Sequence, residues 1–184
     1  MRVIGGELKG RRLKSIDTPG LRPTTDRVRE SIFNILENMI EFDRMKVLDL
    51  FAGTGALGIE ALSRGAARCD FVDMNRRSVA VIAENLRDLG LDERGSAMQR
   101  DALRFIAGTE TTYDLVFADP PYTSTVFDRL VRDLFTLGRV RENGLLILEH
   151  GGFMRGFDKG SAEVVTQRTF GDTGVTIYRR ADEG

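Results

Sequence analysis

The stretch VLDLFAGTGALGIEAL, residues 47–62, decides how the chain is read. Val47-Leu48-Asp49-Leu50 is a strand, FAGTGALG (51–58) is a glycine-rich turn, and the residues through Glu60 and Leu62 are a helix. A strand that runs through a tight turn into a helix is the first half of a β-α-β unit. The same alternation continues downstream. Cys69–Val72 reads as a second strand, followed by a helix from Asn75 to about Leu89. Ala97–Gln99 is a weaker third strand with a short helix after Asp101. Leu115–Ala118 is the fourth, with a helix around Phe127–Phe135, and Leu145–Leu148 is the fifth. Such alternation predicts a parallel sheet with helices on both faces.

After His150 the pattern changes. Glu163–Thr166 and Val175–Tyr178 read as strands joined by a turn, an antiparallel pair that closes a seven-stranded sheet. Upstream, Thr24, Thr25 and Asp26 are candidate caps for a helix over 24–41, with Val28, Ile32, Ile35, Leu36 and Met39 on one face. Arg2-Val3-Ile4 and Arg11-Arg12-Leu13 flank glycines and predict a short β-hairpin, with a loop running on to Pro23. The expectation is one α/β domain over residues 1–184: hairpin and loop 1–23, helix 24–41, Rossmann-like core 46–180 and a frayed tail.

Composition narrows the class. Hydrophobic residues make up 41%, which suits a globular chain, and no apolar run is long enough to span a bilayer. The N-terminus lacks the apolar core of a secretory signal, so a cytoplasmic location is expected. One cysteine, Cys69, and one histidine, His150, exclude an internal disulfide and are too few for a metal site built from Cys or His, so no metal is expected. Residues 1–30 hold eight basic and four acidic side chains, a net of +4 that leaves −5 for the rest. A basic end on an acidic body points to a polyanion as partner.

Ligands of a doubly wound sheet sit at the carboxyl ends of its strands, near the switch in strand order. Asp49, Asp73 and Asp101 fall at three successive strand ends. Gly53, Gly55 and Gly58 match G-x-G-x-x-G, with Asp73 at the position of the ribose-binding acid, which suggests a dinucleotide. Asp49 argues against that reading, because a carboxylate four residues before the first glycine repels a pyrophosphate. S-adenosylmethionine fits better: it carries an ammonium, a sulfonium and a ribose diol, and no phosphate.

The fourth strand runs into Asp119-Pro120-Pro121-Tyr122. Proline fixes φ and has no N–H, and the residue before a proline is held extended. The turn is therefore stiff and rich in acceptors. The Asp119 carboxylate and the Pro120 carbonyl can converge on a planar –NH2 group, and Tyr122 can stack on the ring that bears it. These groups suit methyl transfer to an exocyclic amine, for which a base in a helix must first be flipped out.

The glycine motif resembles class I S-adenosylmethionine-dependent methyltransferases, and DPPY resembles the (D/N)PP(Y/F) motif of amino-methyltransferases. RVIGGELKGRRL (2–13), RPTTDRVRESIFNIL (22–36), LDLFAGTGALGIEALSRGA (48–66) and DLVFADPPY (114–122) together resemble the RsmD family. That resemblance implies methylation of a guanine N2 in 16S ribosomal RNA, within the 30S subunit or an assembly intermediate. It implies cofactor contacts from Asp49, Phe51, Ala52, Gly53, Gly55, Asp73, Met74, Asp101 and Ala102, with Thr25 in a segment covering the methionine end. Arg2, Lys9, Arg11, Arg12 and Lys14 are then candidates to grip RNA phosphates, and a monomer is expected. Other readings stay open at this stage. They are an amino-methyltransferase acting on DNA adenine or on a protein glutamine, a non-catalytic RNA-binding assembly factor, and a nicotinamide oxidoreductase resting on the glycines alone.

Overall fold

The computed structural model describes residues 1–15, 26–121, 126–151 and 162–181. A helix, α1 (Asp26–Leu36), leads into alternating strands and helices. These are β1 (Lys46–Leu50), α2 (Ala56–Ser63), β2 (Arg68–Asp73), α3 (Arg76–Leu89), β3 (Gly95–Gln99), α4 (Ala102–Gly108), β4 (Tyr113–Ala118), α5 (Phe127–Thr136) and β5 (Val140–Gly151). Two further strands follow, β6 (Ala162–Phe170) and β7 (Thr173–Arg180). All seven strands form one sheet in the order β3-β2-β1-β4-β5-β7-β6. β1 to β5 are parallel, and β7 runs antiparallel between β5 and β6. This is the expected α/β architecture with its antiparallel close.

Side chains along the central strands alternate between two faces, and helices cover both. Val47, Leu115, Phe117, Leu145 and Ile147 pack with residues of α1, α2 and α3. Leu48, Leu50, Val116, Ala118, Leu146 and Leu148 pack with α4 and α5. Asp49 has the register of Val47, so it points toward α2. After β3 the chain crosses back over the sheet to place β4 beside β1. The switch in strand order therefore lies between β1 and β4, and the Asp119 turn leaves the sheet there.

Three elements depart from expectation. The helix predicted over 24–41 is observed from Asp26 to Leu36, with Thr24 and Thr25 outside the described residues. Its end tightens as Asn38 N and Met39 N bond to Ile35 and Leu36 three residues back, so the α-helical ladder stops. β5 is longer than the predicted Leu145–Leu148, because β4 and β7 pair with it on its two sides.

The N-terminal arm forms no regular strand pair; it has one antiparallel bridge, Arg2 to Arg12, with Val3 N donating to the Arg11 carbonyl at 2.9 Å and Leu13 N to the Met1 carbonyl at 3.1 Å. The physical reason is competition for backbone donors. Ile4 N and Gly5 N donate to the buried Glu60 carboxylate at 2.8 and 2.7 Å. Glu7 N donates to the Ser63 carbonyl at 2.8 Å, and Leu8 N to Ser63 Oγ at 3.0 Å. With those donors committed to α2, the pairing does not extend beyond the bonds that Val3 and Leu13 make.

Candidate active site

The carboxyl ends of β1, β2 and β4, with the turn after β3, open onto one cavity of about 360 Å³. Two glycines shape its inner wall. Gly55 sits at φ 74°, a left-handed conformation that an L side chain strains, and starts α2. At Gly58 a Cβ would lie 2.3 Å from the Phe71 ring, so α2 can approach β2 this closely only with glycine there. Phe51, between strand and glycines, holds φ 57° without being glycine. Such strain collects at sites where the surroundings fix the backbone for function.

Asp49 is only 2% exposed, and its Oδ2 accepts from Gly58 N at 3.0 Å. Burial pushes its carboxyl well above the ordinary 3.8; the Gly58 N–H opposes the shift, while the nearby Asp119 and Asp73 carboxylates add to it. Asp73 ends β2 and uses both oxygens locally. Oδ2 accepts from Gly53 N at 2.8 Å and Oδ1 from Asn75 N at 2.7 Å. Each oxygen keeps a second lone pair for a ligand hydroxyl. Asp101 caps α4 through Arg104 N at 2.9 Å and stands at the far rim.

This donor set discriminates between ligands. In a dinucleotide site the amides at the start of the helix hold the pyrophosphate. Here one of them, Gly58 N, is already bonded to Asp49, and Asp49, Asp73, Asp101 and Asp119 all line the cavity. Such a cavity favours a cationic ligand without phosphate, and S-adenosylmethionine meets that description.

The family model described as Conserved hypothetical protein 95 matches residues 1–179. The chain belongs to the RsmD family. Escherichia coli (strain K12) ribosomal RNA small subunit methyltransferase D is 40% identical over 151 residues, 81% of this chain and 74% of that one. The Bacillus subtilis protein YlbH is 39% identical over 184 residues, 98% of this chain and 99% of that one. The solved structure of Escherichia coli yhhF superposes with a TM-score of 0.85 at 32% identity, covering 98% of each chain. Family membership agrees with the expected fold and cofactor.

Within this RsmD-family chain, the cavity brings together Asp49, Phe51, Ala52, Gly53, Asp73, Met74, Asp101, Ala102, Asp119 and Pro121. Gly55 and Pro120 are not among the lining residues, but their chain neighbours Thr54, Ala56, Asp119 and Pro121 are. Thr25 and Tyr122 lie outside the described residues. Sequence reasoning missed Met1 and Ser15, which bring both ends of the arm to the cavity, and Thr54, Asn75, Ser78 and Arg100. Asn75 had a readable signal, since its side chain caps α3 by accepting from Arg77 N. The buried Asn85 had none. It accepts from Lys14 N at 2.8 Å and donates to the Lys14 and Thr54 carbonyls, tying the arm to the glycine turn.

The basic arm residues divide. Lys14 pairs with Glu84 at 3.2 Å and Asp88 at 2.8 Å, and these carboxylates raise its pKa. Arg11 donates to the Asp88 carbonyl. Arg2, Lys9 and Arg12 are exposed and form no ion pair among the described residues. No group of three or more potential metal ligands occurs among the described residues.

Proposed function

We propose that this chain methylates the exocyclic N2 of a guanine in 16S ribosomal RNA of the small subunit, using S-adenosylmethionine. The observation that carries this reading is that Asp119 and Pro121, which flank Pro120, line the same cavity as Asp49, Asp73 and Asp101. The 40% identical relative named for small-subunit ribosomal RNA supports the substrate class.

The cofactor would supply an electrophilic methyl on a sulfonium, the S–CH3 bond breaking as the C–N bond forms, and would leave as S-adenosylhomocysteine. Asp49 supplies buried negative charge for the methionine ammonium, and Asp73 supplies acceptors for the ribose hydroxyls. The nitrogen lone pair of guanine N2 is delocalised into its ring, so the amine is a weak nucleophile. The Asp119 carboxylate and the Pro120 carbonyl accept its two hydrogens, favour the pyramidal nitrogen and stabilise the charge that grows as the C–N bond forms. The rigid double-proline turn holds this geometry in advance, which supplies orientation. The methylated amine then loses a proton to solvent, so no basic side chain is required. Arg2, Lys9 and Arg12 supply phosphate contacts that orient the RNA without reading its sequence.

The test is methyl transfer from labelled S-adenosylmethionine to 30S subunits lacking the modification, to naked 16S RNA and to duplex DNA, with nucleoside analysis. N2-methylguanosine from 30S particles or 16S RNA is expected. Label in methyladenine or in protein glutamine would replace the guanine reading with one of the other amine substrates.

A further inference from the structure

A second groove, of about 370 Å³, lies beside the cofactor cavity and shares Met74, Arg100 and Asp101 with it. Its remaining walls are Gln99, Arg104 and Phe105. Met74 is 70% exposed and forms the partition between the two cavities. The arginines are in unusual places. Arg104 lies in the first turn of α4, and Arg76 and Arg77 occupy the first turn of α3 on the neighbouring strand end. A helix N-terminus carries positive partial charge and favours acidic side chains, so arginine there works against the helix. Arg76, Arg77, Arg100 and Arg104 are all exposed and have no ion pair among the described residues. Arg100 and Arg104 thus stand at the rim of a site whose interior is acidic, and Arg76 and Arg77 lie in sequence between Asn75 and Ser78, which line it. Local stability does not explain them, and a polyanion passing over the rim does.

We infer that this groove holds a nucleotide of the RNA strand flanking the target guanine. Arg100 and Arg104 engage its phosphate, and Met74 and Phe105 offer an apolar surface to its base. Arg76 and Arg77 extend the track along the rim. The groove lies at β3 and the Asp119 turn at β4, three strand spacings or about 14 Å apart. One nucleotide cannot fill both places, but a single strand continuing from the flipped base can. The contact uses phosphate charge and base faces, as single-strand recognition does. This inference rests on the RNA-methylating reading above.

Arg104→Glu separates the possibilities, because glutamate at that helix position suits α4 better than arginine does. The expected result has three parts. The RNA KM rises about tenfold, and the salt dependence of RNA binding becomes shallower by about one phosphate contact. S-adenosylmethionine affinity and kcat stay within twofold. The Tm is unchanged or higher. Arg44→Glu, 91% exposed and at the opposite end of β1, controls for overall charge. An Arg104→Glu variant that matches Arg44→Glu in RNA KM overturns the groove. So does a loss of cofactor affinity parallel to the loss of RNA affinity. Absence of RNA methylation by the unaltered chain overturns the reading on which the groove rests, whereas an active unaltered chain with an unmoved Arg104→Glu overturns the groove alone.

Discussion

The cavity wall and the N-terminal arm both rest on α2 and α3, yet they are fastened differently. The inner part of the wall is made of residues close in sequence. Gly53 bonds to Asp73 and Asp49 to Gly58, and the strands that carry them pair side by side. The arm closes on itself through only a few backbone bonds, among them Val3 N to the Arg11 carbonyl and Gly10 N to the Val3 carbonyl. It hangs on buried side chains more than fifty residues away, namely Glu60, Ser63 and Asn85. A site built locally keeps its shape wherever its strands pair. A segment hung on a few polar anchors stands or falls with each of them, because a buried polar group left unpaired costs more than the bond it made.

The largest effect expected from breaking this contrast is at Glu60. Glu60→Ala removes the acceptor of two arm amides and takes the buried carboxylate from the fully buried Arg29 and from Arg64, which keep only the more exposed Asp26 and Glu37. Denaturant unfolding should show a loss of about 3 kcal/mol or more. A loss under one would mean that the arm is held by its apolar contacts instead. Asp119→Ala tests the opposite region. It should leave folding and cofactor affinity intact and cut single-turnover methyl transfer about a hundredfold. Full activity would remove the role assigned to that carboxylate.

Asp49→Asn sharpens the comparison, since here burial opposes ionisation. The variant should fold at least as stably and bind S-adenosylmethionine about tenfold or more weakly. The sign of the pH dependence follows from the raised pKa. The folded chain holds this proton longer than the unfolded chain does. The contribution to stability is therefore full below about 3.8 and is lost as pH rises through the higher folded value. Cofactor affinity, which needs the carboxylate, should rise through that same window. Calorimetric titration across pH would show it, and a flat profile in the native chain would contradict the assignment. The smallest effects are expected on the arm surface. Arg12→Gln should lower the salt slope of RNA binding by roughly one contact, whereas Lys14→Gln should change it little, because Glu84 and Asp88 already compensate that charge. Equal effects would mean that RNA displaces the Lys14 ion pairs.

The same contrast explains what the sequence disclosed. The strands and the aspartates at their ends follow from local patterns: apolar runs, glycines, and carboxylates at strand ends. Asp49 was readable because a charge inside an apolar strand needs a reason. The arm was read as a hairpin from its own residues, and its true partners, Glu60 and Ser63, sit mid-helix with no local mark of that duty. Asn85 looks like any polar residue of an amphipathic helix until Lys14 is placed against it. The rim arginines are visible as letters, but their meaning depends on which helix ends they occupy and on their lack of ion pairs among the described residues.

The placement of β7 also sets an order of events during synthesis. β6 is made before β7, yet within the sheet it touches only β7, which lies between it and β5. As the chain leaves the ribosome, residues 162–170 therefore wait as an unpaired segment until residues 173–180 emerge and slot in beside β5. A nascent chain stalled in that interval exposes the open edge of β5, Val140–Gly151, the longest strand of the sheet and the one most open to pairing with a wrong partner.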